Sequence, residues 1–268
     1  MIRDITLGQY YQADSPIHKM DPRVKLIGTI CYIISLFLFR SLSAYAVATV
    51  FLFAVIHISK VPFRFITKGM KSIVILMTIT VAFNLFLTPG DILVQFWRLK
   101  ITRQGVEASG YMILRLTYLI IGSSLMTLTT TPNNLTDGME KLLKPLSVVK
   151  VPVHEVAMMM SIALRFIPIL LEETDKIMKA QMARGADFES GNLIQKARNL
   201  VPLLVPLFIS AFRRANDLAM AMEARCYRGG EGRTKMKPLM YHRRDYCAYG
   251  TLFLYLAAII AAGKWGPF

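Results

Sequence analysis

The sequence predicts an all-α membrane protein with about five transmembrane helices and a cytoplasmic domain of one short and two long helices. First, hydrophobic residues make up 54% of the 268 residues and charged residues only 18%, whereas a soluble domain is about 25% charged. Second, five segments are apolar over nearly the length that a bilayer requires. Third, 32 Lys and Arg outnumber 17 Asp and Glu. These values exclude a disordered chain, a disulfide-rich scaffold and an ordinary soluble enzyme.

Five segments are predicted to cross the membrane, each close to the required length of about 17–25 residues. The first is short, but Lys25 and Arg40 flank it and can extend to the headgroups. Because Arg3 and Asp4 open the chain and no small-residue cleavage site follows them, we expect this span to stay as an anchor. The predicted spans are Val24–Phe39, Leu42–Ile58, Ser72–Thr88, Gly105–Thr131 and Tyr246–Ala262.

The basic residues predict the orientation of these spans. With the N-terminus in the cytoplasm, all Lys and Arg fall on the cytoplasmic side except Arg115, within the fourth span, and five outside. Loops rich in Lys and Arg stay in the cytoplasm, so we expect a multi-pass cell-membrane protein with a cytoplasmic N-terminus. Topology thus explains the net charge of +15, and nucleic-acid binding is not expected. The five outside are Arg40, Arg98, Lys100, Arg103 and Lys264.

Two further apolar stretches, Val156–Leu171 and Asn199–Phe212, are short for a span and contain or adjoin prolines. We interpret them as the membrane-proximal halves of long helices at the cytoplasmic face, whose polar ends extend into the cytosol. An alternative with seven spans remains open, in which both stretches cross the membrane.

The cytoplasmic domain is predicted over residues 132–244. Residues 1–131 then hold the N-terminal segment and four spans, and residues 245–268 the last span. The domain begins with a short amphipathic helix, because apolar residues recur three and four positions apart between Leu135 and Leu146.

Two long helices follow, from about Glu155 to Ala183 and from about Leu193 to Arg225. Each ends in Ala-Arg and a small residue, as Ala183-Arg184-Gly185 and Ala224-Arg225-Cys226. The helix dipole favours an arginine there whatever the function. Two such tips also suit docking into grooves of a soluble partner, because a guanidinium binds carboxylates and carbonyls in a planar fork. Clustered methionines, such as Met158-Met159-Met160, are typical of a core or of an adaptable interface.

Motifs for catalysis and metal binding are missing from the sequence. There is no phosphate-binding loop, no His-Glu-x-x-His and no Cys-x-x-Cys. We therefore expect no enzyme activity, no metal site and no bound cofactor. The spans hold too few acidic residues and histidines for a stand-alone ion-coupled carrier. Arg115 is predicted to pack against a partner or to extend towards the headgroups.

The chain resembles the transmembrane T component of energy-coupling factor (ECF) transporters. These are a branch of the ABC transporters that imports vitamins and metal ions. The segment Ser15–Leu26 is similar to the N-terminal motif of that family and includes Asp21, Pro22, Arg23 and Lys25. The Pro132–Pro145 helix and the two long helices resemble its coupling domain. The family signature Ala-Arg-Gly is complete at residues 183–185, whereas Cys226 replaces the glycine at the second tip.

This resemblance implies a coupling subunit for vitamin or micronutrient uptake, without catalysis of its own. Two cytosolic ATPase subunits would hold ATP and Mg²⁺, and one or several membrane S components would bind the substrate. Arg184 and Arg225 would each dock into one ATPase. The S component would contact Met158, Met159, Met160, Leu142 and Leu143.

Two other functions remain open. A stand-alone secondary transporter with seven spans would carry its substrate without ATPase subunits. A membrane adaptor would recruit a cytosolic partner without transport. The sequence does not identify a substrate, because recognition would reside in another chain.

Overall fold

The computed structural model describes residues 10–39, 41–70, 73–96, 99–188, 192–230, 236 and 238–265. They form helices throughout, apart from one β-hairpin and the connecting loops. The helices are α1 (Pro22–Leu38), α2 (Leu42–Ser59), α3 (Phe63–Met70), α4 (Val74–Leu87), α5 (Arg103–Thr129), α6 (Pro132–Leu143), α7 (Val153–Ala183), α8 (Leu193–Asn199), α9 (Val201–Ala224) and α10 (Arg243–Trp265), with a 3₁₀ turn over Lys144–Val149 and the strands β1 (Ile92–Phe96) and β2 (Leu99–Thr102).

The chain divides into two compact units. The larger unit contains residues 8–142 and 239–268, and the smaller unit contains residues 143–238. The larger unit therefore includes α1 to α6 and α10, whereas the smaller one includes α7, α8 and α9. This division differs from the predicted domain of residues 132–244 at both ends, because residues 132–142 and 239–244 belong with the larger unit. That the smaller unit is cytoplasmic stays a prediction.

The predicted all-α membrane fold is confirmed, and each of the five predicted spans corresponds to a helix. Four described helices are long and apolar enough to cross a membrane, namely α2, α5, α7 and α10, and α4 is a shorter apolar helix. With 17 residues, α1 is at the lower limit for a span. The long helix α7 meets the length and hydropathy requirement although the sequence analysis assigns it to the cytoplasmic face.

The core of the larger unit lies between α1, α2, α5 and α10. Phe51 stacks on Tyr255 with ring centroids 4.3 Å apart, and the Tyr255 hydroxyl hydrogen-bonds Ser35 Oγ at 2.7 Å. Ala48 is fully buried, whereas Phe53 and Phe253 are about 70% exposed. Large apolar side chains thus lie on both the inside and the outside of this unit, as expected for helices surrounded by lipid.

Two elements of the larger unit were missed by the sequence analysis. The first is the antiparallel hairpin β1–β2 between α4 and α5, whose short apolar strands could not be distinguished from helix by periodicity. The second is α3, which follows the second predicted span. It is held by Ile66, which is fully buried, and it exposes Phe63 and Phe65.

In the smaller unit, the first long helix has the predicted extent and the second is shorter than predicted. α9 begins at Val201, and α8 precedes it with an interruption at Leu200. Pro202 explains the interruption, because it cannot donate the hydrogen bond that would continue a helix from α8, and its ring clashes with the preceding turn. Pro202 is instead accommodated in the first turn of α9, where a free N–H is not needed.

Candidate functional site

The two arginine tips end their helices with the same hydrogen-bond pattern. After α7, the N–H of Ala186 donates to the carbonyl of Gln181 and the N–H of Gly185 to that of Met182, both at 3.0 Å. After α9, Tyr227 donates to Met222 at 3.0 Å and Cys226 to Glu223 at 2.8 Å. Both are Schellman motifs, which turn the chain away directly after the arginine. Arg184 and Arg225 are exposed and have nearly equal backbone angles, with φ of −88° and −91°.

The residue after each arginine adopts the left-handed conformation. Gly185 has φ of +89°, as is common for the C′ residue of a helix. Cys226 takes the same role with φ of +57°, although a side chain disfavours this region. The replacement of glycine by cysteine therefore leaves the hydrogen bonds of the second tip intact, but the backbone is strained.

The helices α7 and α9 pack antiparallel, so that their tips lie at opposite ends of the pair. Gln181, near the end of α7, donates a hydrogen bond to the carbonyl of Pro202, at the start of α9. Glu173 pairs with Arg214 and accepts a 2.7 Å hydrogen bond from Ser210. Continuing this register places Arg225 beside the methionine cluster at the start of α7. At a rise of 1.5 Å per residue, about 25 residues of α7 then separate the two arginine tips by about 40 Å.

This pairing differs from the arrangement that the sequence analysis expects. Two apolar halves at the membrane and two polar ends in the cytosol would require similar directions for both helices. Instead, the polar end of α7 lies beside the apolar beginning of α9, and an apolar groove of about 260 Å³ runs between the helices. Its lining includes Ile162, Phe166 and Leu218.

The N-terminal motif forms a polar network at the start of α1. Asp21 caps this helix by accepting a 2.9 Å hydrogen bond from the backbone N–H of Arg23. The Arg23 guanidinium donates to both Asp21 carboxylate oxygens, at 3.0 and 2.7 Å, and lies 3.9 Å above the Tyr241 ring. Pro22 occupies the first helical turn, where its fixed φ favours the helix.

A second carboxylate, absent from our sequence-based site residues, completes this network. Asp245 is 1% exposed and accepts hydrogen bonds from the backbone N–H of Asp21 at 2.9 Å and of His242 at 2.8 Å. Lys25 is also buried and donates to the carbonyls of Thr129 at 2.8 Å and His18 at 3.2 Å. The motif residues are thus brought together in the larger unit, and the arginine tips belong to the smaller unit.

This environment shifts the pKa of two ionisable groups in the N-terminal segment, Asp21 and His18. Burial opposes ionisation of Asp21, but hydrogen bonds from Arg23 and its positive charge hold the pKa of Asp21 below its usual value. Burial lowers the pKa of His18. Its Nε2–H donates to the Tyr11 carbonyl at 3.0 Å, and its Nδ1 accepts from the Ser15 hydroxyl at 2.7 Å, which favours the neutral ring.

Comparison with known proteins identifies the family. The model of the CbiQ family, described as cobalt transport protein, matches residues 13–236. The energy-coupling factor transporter transmembrane protein EcfT of Clostridium kluyveri is 58% identical over 99% of this chain and its own full length. Proteins of the same name from Thermosediminibacter oceani and Bacillus subtilis are 52% and 46% identical, over 98% and 97% of this chain and 100% and 98% of their own lengths. The chain belongs to the EcfT family. The resemblance to ECF T components is therefore confirmed, as is the prediction of a multi-pass membrane subunit of a transporter.

The five residues predicted to contact an S component fall into two groups in this EcfT-family chain. Met159 and Met160 are 58% and 50% exposed at the start of α7, and Met158 beside them is half-buried. Leu142 is half-buried at the end of α6, and Leu143 next to it is 40% exposed. Leu142 belongs to the larger unit, whereas Leu143 and the three methionines belong to the smaller one, and the role of all five stays a prediction.

Arg115 packs inside the larger unit of the EcfT-family fold. Its Nε donates to the carbonyl of Leu36, near the end of α1, and to the Tyr45 hydroxyl of α2, both at 3.2 Å. A cation near a helix C-terminus is favoured by the unpaired carbonyls there. In the described part of the chain, no group of three or more His, Cys, Asp or Glu side chains could hold a metal ion.

Only one signal in the sequence could have indicated Asp245. It is an acidic residue in the first turn of an otherwise apolar helix, as is typical of a helix N-terminus. The contact with Asp21 joins residues 224 positions apart, and no local pattern predicts such a pair.

Proposed function

We propose that this chain is the transmembrane coupling subunit of an ECF transporter. It links ATP hydrolysis by two cytosolic ATPase subunits to the uptake of a vitamin or micronutrient through a substrate-binding S component. The observation that carries this proposal is the antiparallel α7–α9 pair, whose exposed arginine tips lie about 40 Å apart. Because one binding groove cannot contact both tips, the pair is suited to two separate docking sites.

Each tip has the properties of a docking element. Ala183 and Ala224 are exposed and small, so that a partner can approach the last helical turn closely. The Schellman motif turns the chain away after Arg184 and Arg225, which leaves each guanidinium at the end of its helix. Each arginine docks into a groove of one ATPase subunit, and the ATPases retain ATP, Mg²⁺ and the chemistry of hydrolysis.

The proposed orientation has a cytoplasmic N-terminus and places the smaller unit at the cytoplasmic face. The antiparallel pair lies along this face, because the apolar half of each helix neighbours the polar half of the other. Closure of the ATPases moves the two tips and so moves the S component that rests on exposed apolar residues such as Met159 and Met160. Leu142, Leu143 and Met158 are further proposed contacts of the S component.

The docking proposal is tested by purification of the complex. We expect the double variant Arg184→Glu/Arg225→Glu to lose both ATPase subunits in mild detergent, because each tip then repels the carboxylates and carbonyls that it binds. Each single variant should lose one docking contact and most ATP-driven uptake. Arg228→Glu is the matched control, since Arg228 is exposed close to the second tip but lies outside the Schellman motif. Normal ATPase recovery and uptake by the double variant would contradict the proposal.

The orientation is tested by labelling with a membrane-impermeant thiol reagent. In a variant without Cys31, Cys226 and Cys247, the exposed Asn192 is replaced by cysteine. We expect labelling only after cells are permeabilised. Labelling of intact cells would support the seven-span alternative, and nucleotide-independent uptake by this chain alone in liposomes would identify a secondary transporter.

A further inference from the structure

We propose that Asp21, Arg23, Lys25 and Asp245 form a positioning clamp, which fixes both chain connections of the smaller unit to the start of α1. This inference rests on the proposed coupling function. The chain leaves the larger unit after Leu142 and returns to it at Leu239. The segment that leads to the smaller unit and the segment that returns from it contact the same few residues at the start of α1, although they are about a hundred positions apart in sequence.

The segment before the outgoing connection, from the end of α5 through α6, is held by Lys25 and by the start of α1. Lys25 Nζ donates to the carbonyl of Thr129, the last residue of α5, at 2.8 Å. α6, which leads towards the smaller unit, packs closely on α1 through Gly138. A Cβ atom on Gly138 would lie 3.1 Å from Pro22 Cβ and 3.3 Å from the Pro22 carbonyl carbon. A side chain at this position would therefore require the two helices to move apart by a few tenths of an ångström.

The returning connection is held by Arg23 and Asp245. Arg23 donates to the Leu239 carbonyl at 3.4 Å, and its guanidinium stacks 3.9 Å above the Tyr241 ring. Asp245 then accepts the Asp21 N–H, which ties the start of α10 to the start of α1. Leu239 is the first residue of the larger unit after the smaller one, so the chain is fixed directly on its return.

Burial of these charged side chains costs free energy. Asp21, Lys25 and Asp245 are 6%, 9% and 1% exposed. Charged groups that are withdrawn from water destabilise a fold unless they are fully paired, and well-packed apolar residues often stabilise it as well or better. We infer that the network serves to fix geometry. With the chain segments before and after the smaller unit attached at one place, a pull on either segment reaches α1, α5 and α10.

The experiment uses the complete complex of this chain with its ATPases and S component in liposomes. ATP hydrolysis and solute uptake are measured together for Asp245→Asn, which keeps the side-chain volume but replaces one acceptor oxygen by an NH₂ group. We expect the complex to assemble and to hydrolyse ATP nearly as the parent does, while solute imported per ATP falls at least about fivefold. Amide exchange should accelerate in residues 239–245 and remain unchanged in α2.

Two further variants are measured, one as a control and one as a second test of the clamp. Asp14→Asn is the matched control, because Asp14 also pairs with a lysine in the N-terminal segment but is 78% exposed. It should leave the ratio unchanged. Arg23→Lys keeps the positive charge but loses the planar fork, so solute imported per ATP should fall less than in Asp245→Asn. If Asp245→Asn does not assemble, Arg23→Lys is the variant that tests the clamp.

A parent-like ratio of uptake to hydrolysis in Asp245→Asn would overturn the clamp, as would a parallel fall of both activities in Arg23→Lys. Failure of the parent chain to assemble with ATPases or to support ATP-dependent uptake would instead overturn the proposed function. The two failures are therefore distinguishable.

Discussion

The conformation of Gly185 allows a quantitative test of the first arginine tip. Gly185 has φ of +89°, and no heavy atom lies within 4 Å of the position that a Cβ would take. The substitution Gly185→Ala therefore introduces backbone strain without a steric clash. A left-handed conformation costs an L-residue about 1–2 kcal/mol. Restriction of the unfolded chain by alanine offsets about 0.5 kcal/mol of this.

The net destabilisation of the tip is thus about 0.5–1.5 kcal/mol, which corresponds to a roughly two- to twelvefold increase in local opening. The assay is hydrogen exchange of the backbone amides of Gly185 and Ala186, which close the Schellman motif, in the chain reconstituted in nanodiscs. Gly185→Asn is the control, because asparagine tolerates this region better than alanine does. We expect the order glycine slowest, asparagine intermediate and alanine fastest.

Equal exchange in the alanine variant and the parent would refute this reasoning, since the tip would then not depend on a left-handed residue. A uniform acceleration throughout α7 would also refute it, because the strain is confined to one residue beyond the helix end.

Cys226→Gly should slow exchange at the second tip by about two- to twelvefold, because it removes the same strain, whereas Cys226→Ala should change nothing. Gly138→Leu should lower the melting temperature of the purified chain by several degrees, because α6 must move away from Pro22, and Gly28→Leu, with open space around it, is the control. The pKa of His18 is lowered in the folded chain, so folding favours the neutral ring. The contribution of His18 to stability is therefore complete above about pH 6.5 and declines as the pH falls towards the lower folded pKa. Thermal unfolding between pH 8 and pH 5 should show this decline in the parent and a smaller one in His18→Gln; equal curves would contradict it.

Local patterns account for the part of the site that the sequence predicted. The ends of α7 and α9 follow from the Ala-Arg-small triplets, because helix termination depends on residues within one turn. Asp21 could be selected from its motif, and its role as the N-cap of α1 is a local one. The motif does not reveal what else these residues hold, since Leu239, Tyr241 and Asp245 lie more than two hundred positions away.

The sequence by itself determined the membrane class, the positions of the apolar helices and the two arginine tips. These depend on composition, on periodicity and on chemistry within a few residues. Only the tertiary structure decided that α7 and α9 run antiparallel, that α6 packs on α1 through Gly138, and that Asp245 completes the N-terminal network. Such arrangements arise from contacts between distant segments, and the same amphipathic helices can satisfy their local preferences in several packings.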